Sequence, residues 1–171
     1  MNLEYAIAFN PDRCVACHGC AVACKTWRER PLGMDCRRIV TIWQRGEAMP
    51  RLRHASVACL HCVDPACLKV CPVHAISKNA DGIVLVDAET CIGCRACKKA
   101  CPFDVPQFPE QGRSPMVKCD LCFGRYDMET SQPPCVATCP THALTLVKAS
   151  PEEKKEQEAA MLALLSSGAE W

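Results

Sequence analysis

The stretch that most restricts how this chain can fold is Cys91-Ile-Gly-Cys94-Arg-Ala-Cys97-Lys-Lys-Ala-Cys101-Pro102. Three cysteines set two residues apart can wrap one loop round a single inorganic core, while a fourth, three residues on and followed by proline, faces elsewhere. The spacing C-x2-C-x2-C-x3-C-P holds a [4Fe-4S] cluster and sends its last thiolate to a second cluster. The motif therefore requires a partner. The chain supplies three: Cys14/Cys17/Cys20/Cys24, Cys59/Cys62/Cys67/Cys71 and Cys119/Cys122/Cys135/Cys139. Four complete quartets imply four [4Fe-4S] clusters and an electron wire.

Other uses of the 17 cysteines explain less. A disulfide framework is the usual meaning of so much cysteine in a short exported chain. The odd total, the tight triplets and an N-terminus without a basic n-region or a full h-region argue against it. Zinc could occupy Cys119, Cys122, Cys135 and Cys139 as a tetrahedral thiolate site, which makes a structural zinc-binding adaptor the alternative from another class. It leaves the other three motifs unexplained. No nucleophile and base pairing, phosphate loop or dinucleotide fingerprint is present, so a catalytic site of its own is not expected.

The formal net charge of +1 counts the cysteines as neutral thiols. Four oxidised cores, each at −2 with its thiolates, would bring the loaded chain to about −7. Arg13, Lys25, Arg95, Lys98, Lys99 and Lys118 lie in or beside the motifs, where they can offset that charge or simply face solvent. There is no basic excess with interleaved aromatics, hence no nucleic-acid partner. No apolar run approaches the ~18 residues of a direct membrane span.

Residues 5–9 alternate and end at Asn10-Pro11-Asp12, reading as a strand that runs into the first cysteine loop. A helical turn is expected from Cys24 through Trp27 to Arg30, stopped by Pro31-Leu-Gly33. Residues 37–44 read as a strand with its turn at Gly46, and 56–58 lead into Cys59. After Cys71, residues 75–78 and 83–86 form a hairpin about Asn79-Ala-Asp81-Gly82, which delivers the chain to Cys91. Cys101 to Pro106 is an extended, proline-punctuated segment. The fourth motif carries an insert over 123–134 and is followed by a strand through Val147. Ser150-Pro151-Glu-Glu153 is a helix start, with an N-cap, proline at the first position and acids in the first turn. This C-terminal helix should run to about Ser166 and stop before Gly168, its apolar patch at 159–165 packing on the body or a partner.

The motifs could pair in tandem, first with second and third with fourth, or nested, second with third and first with fourth, and the connection lengths favour nesting. Nineteen residues containing a clean hairpin separate Cys71 from Cys91, but thirty-four separate Cys24 from Cys59. The expected fold is α+β and loop-rich: two bacterial-type 2[4Fe-4S] ferredoxin-like units, one inserted into the other. Residues 1–55 and 109–148 form the first, 56–108 the inserted one, and 149–171 the C-terminal helix and tail. Strand 5–9 can then pair with 144–147. Nesting assigns Cys14, Cys17, Cys20 and Cys139 to one cluster and Cys119, Cys122, Cys135 and Cys24 to another. The inserted unit holds Cys59, Cys62, Cys67 and Cys101 at a third, and Cys91, Cys94, Cys97 and Cys71 at a fourth. Cys36 is left over as a small buried hydrophobe. His18, His61, His74 and His142 read as partly exposed spacers, and Trp27 and Trp43 as packing on the first unit.

Cys59-Leu-His-Cys-Val-Asp-Pro-Ala-Cys67, Cys101-Pro-Phe-Asp-Val-Pro-Gln-Phe108 and Lys118-Cys-Asp-Leu-Cys122, with Pro134-Cys-Val-Ala-Thr-Cys-Pro-Thr-His-Ala-Leu144, resemble the iron-sulfur B subunit of the dimethyl sulfoxide reductase family. The resemblance runs from about Tyr5 to Val147. It implies nested ferredoxin units that pass electrons between a quinone-linked, multispan membrane anchor subunit and a molybdopterin-containing catalytic subunit. The short tail departs from longer members of the family. Iron-sulfur subunits of formate dehydrogenase and hydrogenase complexes share the four motifs and form the alternative. The expected location is peripheral to the cytoplasmic membrane within such a complex, either on the cytoplasmic side or carried to the periplasm by a partner.

Of the 49% of residues that count as hydrophobic, 17 are cysteine and 21 alanine, which leaves little to build a core. Metal binding can supply folding free energy where a core is thin. Removal of iron is therefore expected to leave the chain largely unfolded; a native-like circular dichroism spectrum of the apoprotein would contradict this.

Overall fold

The computed structural model describes residues 3–44, 49, 51–109 and 114–168. Its outer frame is a sheet made from the two ends of the chain. β1 (Glu4–Phe9) pairs antiparallel with β6 (Leu144–Ala149), Glu4 opposite Ala149 and Phe9 opposite Leu144, which is the expected pairing extended by two residues of β6. Asn10 ends β1 by accepting the Asp12 N–H on its side chain at 3.0 Å, and the 3-10 turn Pro11–Arg13 drops the chain into the first cysteine loop.

α1 (Gly19–Trp27) starts earlier than the helical turn expected at Cys24, so Cys20 and Cys24 lie one turn apart on its buried face. β2 (Arg37–Gln44) then pairs along its whole length with β3 (Arg51–Ala58). The sequence reading anticipated only the last three residues of β3, because its first half is charged and exposed and lacks an apolar alternation. β3 carries the chain across residues 55 and 56, where the expected unit boundary falls. The expected turn at Gly46 lies outside the described residues.

α2 (Ala66–Lys69) precedes the hairpin of β4 (Ile76–Lys78) and β5 (Val84–Val86), which leads to α3 (Ala96–Ala100). The hairpin turn is closed by Asn79, whose side chain accepts the Ile83 N–H at 2.8 Å. Gly82 sits at φ +77, and a Cβ there would fall on the Glu4 side chain, so both conformation and packing require glycine. α4 (Pro134–Ala137) belongs to the fourth motif and packs on α1.

α5 (Pro151–Ser166) has the expected start, a capping box in which Ser150 Oγ accepts from Glu153 N at 3.2 Å and Glu153 Oε2 accepts from Ser150 N at 2.7 Å. It packs on the body. Met161 and Leu165 are buried with Val40, Ile42, Ala55 and Val57 of the β2–β3 hairpin and with Phe103 and Val105 after the third motif. Two placements differ from expectation. Trp27 is 52% exposed and Trp43 57% exposed, so neither is core. Strand alternation turns Trp43 outward opposite the fully buried Ile42, and Trp27 is the last residue of α1, beyond the turn that carries Cys24 inward.

Lys154 joins α5 to this frame. It is buried and donates to Glu4 Oε2 at 2.6 Å, and Lys78 reaches Glu4 Oε1 at 2.8 Å. Burial works against a charge on Glu4, but the hydrogen bonds from Lys154 and Lys78 outweigh it and hold its pKa below the ordinary carboxylate value. A lowered folded-state pKa contributes stability that is present above the unfolded-state value and lost as pH falls through the folded one. Glu4→Gln strands a buried ammonium, so unfolding of the cluster-loaded chain should cost about 3 kcal/mol less at neutral pH, with a smaller loss of stability on acidification. Adding Lys154→Met to Glu4→Leu should recover most of that loss, as read from denaturation midpoints.

Candidate functional site

Each cysteine loop is bent by residues in the left-handed region. In the first motif these are Ala16 and His18, and at the matching places of the third they are Gly93 and Arg95. His61 holds the place of Ala16 in the second motif, and Leu121 and Cys122 bend the fourth. Three residues after the Cys-Pro junctions the same conformation recurs at His74, Asp104 and His142. Left-handed non-glycine backbone costs about 1–2 kcal/mol per residue, and it persists where the surroundings over-determine it. The reward here is hydrogen bonding to sulfur. Ala75 N donates to Cys71 Sγ at 3.3 Å, Ala143 N to Cys139 Sγ at 3.3 Å and Met116 N to Cys91 Sγ at 3.4 Å.

The four histidines near the motifs thus share one backbone role, since His is among the non-glycine residues that tolerate this region best. His18, His74 and His142 are exposed, as expected of spacers. His61 is not. It is 1% exposed, its Nδ1 accepts the Val84 N–H at 2.9 Å, and burial together with the nearby Lys118 charge holds its pKa well below the ordinary value. Its ring is a neutral strut between the second motif and β5.

The folded chain gathers the thiols across motifs. Cys14, Cys17, Cys20 and Cys139 line one cavity, with Ser56 and Ile39 of the β2–β3 hairpin on its wall. Cys59, Cys62, Cys67 and Cys101 line a second, and Cys71, Cys91, Cys94 and Cys97 a third. The three are alike in size, about 320, 340 and 300 Å³ of space including the part open to solvent, which suits one kind of occupant. Cys24, Cys119, Cys122 and Cys135 form the remaining group. All four are buried, Cys24 lies beside Cys119 and Cys135, and Cys122 beside Cys135. α1 is held to this loop by Arg28, whose Nη1 meets Asp120 Oδ2 at 2.8 Å. The thiols ring a space rather than converge: among the described residues no three His, Cys, Asp or Glu side chains close on the position of a single ion.

Burial dominates the electrostatics. It pushes the Cys97 thiol up to about 11 and Cys119 up to about 12, and raises Cys62 and Cys67 as well. Such thiols are not nucleophiles at neutral pH, and a metal must displace their protons before they ligate. At Cys139 burial is outweighed by the Leu144 and Ala143 N–H groups, which bring it below the ordinary thiol value. Cys36 is buried as expected, in the same hydrophobic cluster as Cys20, Cys24 and Cys119.

The expected cations divide. Lys25 pairs with Asp35 at 2.9 Å and Lys98 with Asp104 at 3.4 Å, so each is largely spent on a carboxylate. Arg95 lies over the Phe108 ring at 5.6 Å. Lys118 is buried and donates to Val84 O and, at 2.9 Å, to Cys119 O. The sequence reading missed Arg37, which is buried on Ser56 within electrostatic reach of thiols of two groups. Its signal in the sequence was only that of one arginine in a strand.

Looped thiol groups, N–H bonds to sulfur and a thin core between small sheets define a ferredoxin-type iron-sulfur protein. Comparison with known proteins agrees. The family model described as a 4Fe-4S dicluster domain matches residues 51–149. The B subunit of the anaerobic dimethyl sulfoxide reductase of Haemophilus influenzae is 42% identical over 151 residues, covering 82% of this chain and 72% of its own. The formate dehydrogenase iron-sulfur subunit of Wolinella succinogenes is 42% identical over 166 residues, covering 84% and 82%. The thiosulfate reductase electron transfer subunit PhsB of Salmonella typhi is 37% identical over 145 residues, covering 82% and 74%. The protein belongs to the family of iron-sulfur electron-transfer subunits that includes the B subunits of dimethyl sulfoxide reductases.

The crossing of thiols between motifs is open to test. Cys139→Ser is expected to alter the paramagnetic resonance of the centre formed with Cys14, Cys17 and Cys20. A change confined to the centre of Cys119, Cys122 and Cys135 would refute the crossing.

Proposed function

We propose that this chain carries four [4Fe-4S] clusters and relays electrons between a quinone-linked membrane anchor subunit and a molybdopterin catalytic subunit of the dimethyl sulfoxide reductase type. The observation that carries this reading is the grouping of sixteen cysteines into four neighbouring sets, each drawing one thiol from a second motif. On this reading Cys14, Cys17, Cys20 and Cys139 hold one cluster and Cys24, Cys119, Cys122 and Cys135 the next. Cys59, Cys62, Cys67 and Cys101 hold the third, and Cys71, Cys91, Cys94 and Cys97 the fourth. The two outer motifs make one ferredoxin-like unit, 1–55 with 109–148, and the inner pair, 56–108, a second inserted in it. The enclosing β1–β6 sheet and the hairpin between the second and third motifs support that division.

A [4Fe-4S] core with four thiolate ligands supplies one-electron, outer-sphere transfer and has no open coordination position. The chain itself supplies proximity, insulation and charge. Cys97 lies close enough to Cys67 to feel its charge, and Cys119 close enough to Cys59. Cys20 and Cys24 share one face of α1. These neighbours support a linear order: the Cys91 loop, the Cys59 loop, the Cys119 loop, the Cys14 loop. Ile76, Val84, Phe103, Val105 and Leu144 line or flank the groups and keep water from the path. No helix among the described residues is long and apolar enough to cross a membrane. The place we assign, peripheral to the cytoplasmic membrane on either side, comes from the proposed anchor.

Service to a formate dehydrogenase is the second reading, favoured by the 42% identity to the Wolinella subunit. The two are separated by the catalytic subunit that co-purifies. For the shared core of both, the anaerobically purified complex should contain about sixteen irons per copy of this chain, four per cluster, and four one-electron steps in a redox titration. A colourless preparation or one with far less iron would refute the reading.

A further inference from the structure

The guanidinium of Arg37 is buried, and among the described residues no carboxylate pairs with it. The residue is 4% exposed, its Nη1 donates to Ser56 Oγ at 3.0 Å and to Ser56 O at 3.4 Å, and its Nε has no hydrogen-bond partner. None of the ion pairs among the described residues includes it. An arginine keeps its charge in proteins, and a buried charge without a counter-charge is among the costliest features a fold can contain. Burial works against its charge, and the groups that more than compensate, once they carry negative charge, are cysteine sulfurs: Cys135, Cys119 and Cys24 from one set and Cys20 from another. Ser56 extends the contact, with its Oγ 3.4 Å from Cys20 Sγ and its side chain on the wall of the Cys14 cavity. The β2–β3 hairpin builds the arrangement, since Ser56 stands opposite Ile39, two residues from Arg37.

We infer that Arg37 is the shared counter-ion of the two outer centres, fixed by Ser56 at their junction, and that it holds both reduction potentials above those of an otherwise equal site. The inference rests on the four-cluster reading. Each centre, at −2 with its thiolates, gains one electron and no proton on reduction and goes to −3. A fixed positive charge beside the sulfurs favours the more negative state of both centres, and more strongly in a buried site than in water. Its attraction for each centre also offsets part of the repulsion between two reduced neighbours. Three of the four sulfurs that act on the guanidinium belong to the Cys119 group, and Ser56 links it to the fourth, Cys20.

The test is a potentiometric titration, followed by paramagnetic resonance, of the purified complex carrying single substitutions in this chain. Arg37→Gln should weaken the electron affinity of two centres by about tenfold each, which is about 59 mV for a one-electron couple. The affected centres should be those that Cys139→Ser and Cys24→Ser perturb, while the two in the inserted unit stay where they were. Arg37→Lys, which keeps the charge, should restore most of the shift, and Ser56→Ala should lower chiefly the centre of Cys14, Cys17 and Cys20. If Arg37→Gln loses iron, the Lys and Ala variants carry the test. Unchanged potentials in both Arg37→Gln and Ser56→Ala, an equal shift of all four centres, or a full shift in Arg37→Lys would overturn the inference. Failure of the underlying reading would show instead in the parent complex, as fewer than four one-electron steps.

Discussion

The structure depends on cysteine thiols standing where other small proteins place aliphatic side chains. Cys20, Cys24, Cys119 and Cys135 are members of the largest buried cluster, packed with Tyr5, Leu121, Val136 and Leu144. A thiol is small, and packing alone gives little from it. The three buried clusters are separate and modest, and each one touches a cysteine loop. In such a chain the free energy of metal ligation is also free energy of folding, because the unfolded chain presents no preformed site. The short sheets are then best regarded as the frame that brings loops together, with most of the cohesion lying in the loops themselves.

That frame is built with repeated local solutions. The same left-handed residues recur at matching places in different motifs, and the same N–H to sulfur bond follows Cys71 and Cys139. Each strained residue is offset by what it aims, a backbone dipole at a thiol that is to carry negative charge. Longer-range ties then fix one loop against another: Arg28 to Asp120, His61 to Val84, and Lys154 to Glu4. Each of these crosses between segments far apart in the chain, which is why thiols from different motifs meet.

Relatives named for dimethyl sulfoxide, formate and thiosulfate enzymes are all similar to this chain across most of its length. One electron-transfer scaffold has therefore been joined to catalytic subunits of different substrate. Chemistry that only moves electrons places no demand on the substrate's shape, and the features that matter here are sulfur spacing, burial and local charge. Among the buried cations Lys118 donates to the Cys119 carbonyl and its charge acts on Cys67, and the charge of Arg37 acts with thiols of the two outer groups. Surface lysines such as Lys25 and Lys98 are neutralised by their own carboxylates.

Much was legible in the sequence because iron-sulfur ligation is written in spacing. The quartets, the hairpin before Cys91, the capped C-terminal helix and the pairing of the chain ends all follow from local pattern or loop length. What local pattern hides is the environment of a side chain. Arg37 and Arg38 are adjacent and chemically the same, yet Arg37 is buried with its guanidinium on Ser56 while Arg38 donates to the Phe103 and Asp104 carbonyls. His61 resembles His18, His74 and His142 in its place near a cysteine and differs from them only in what folds over it. The first half of β3 gave no sign of a strand because its pairing with β2, not its composition, makes it one. The sequence by itself determined which atoms can bind iron, since ligand identity and spacing are covalent properties of the chain. Only the tertiary structure decided which charges lie beside those atoms, because burial and proximity arise when distant segments pack.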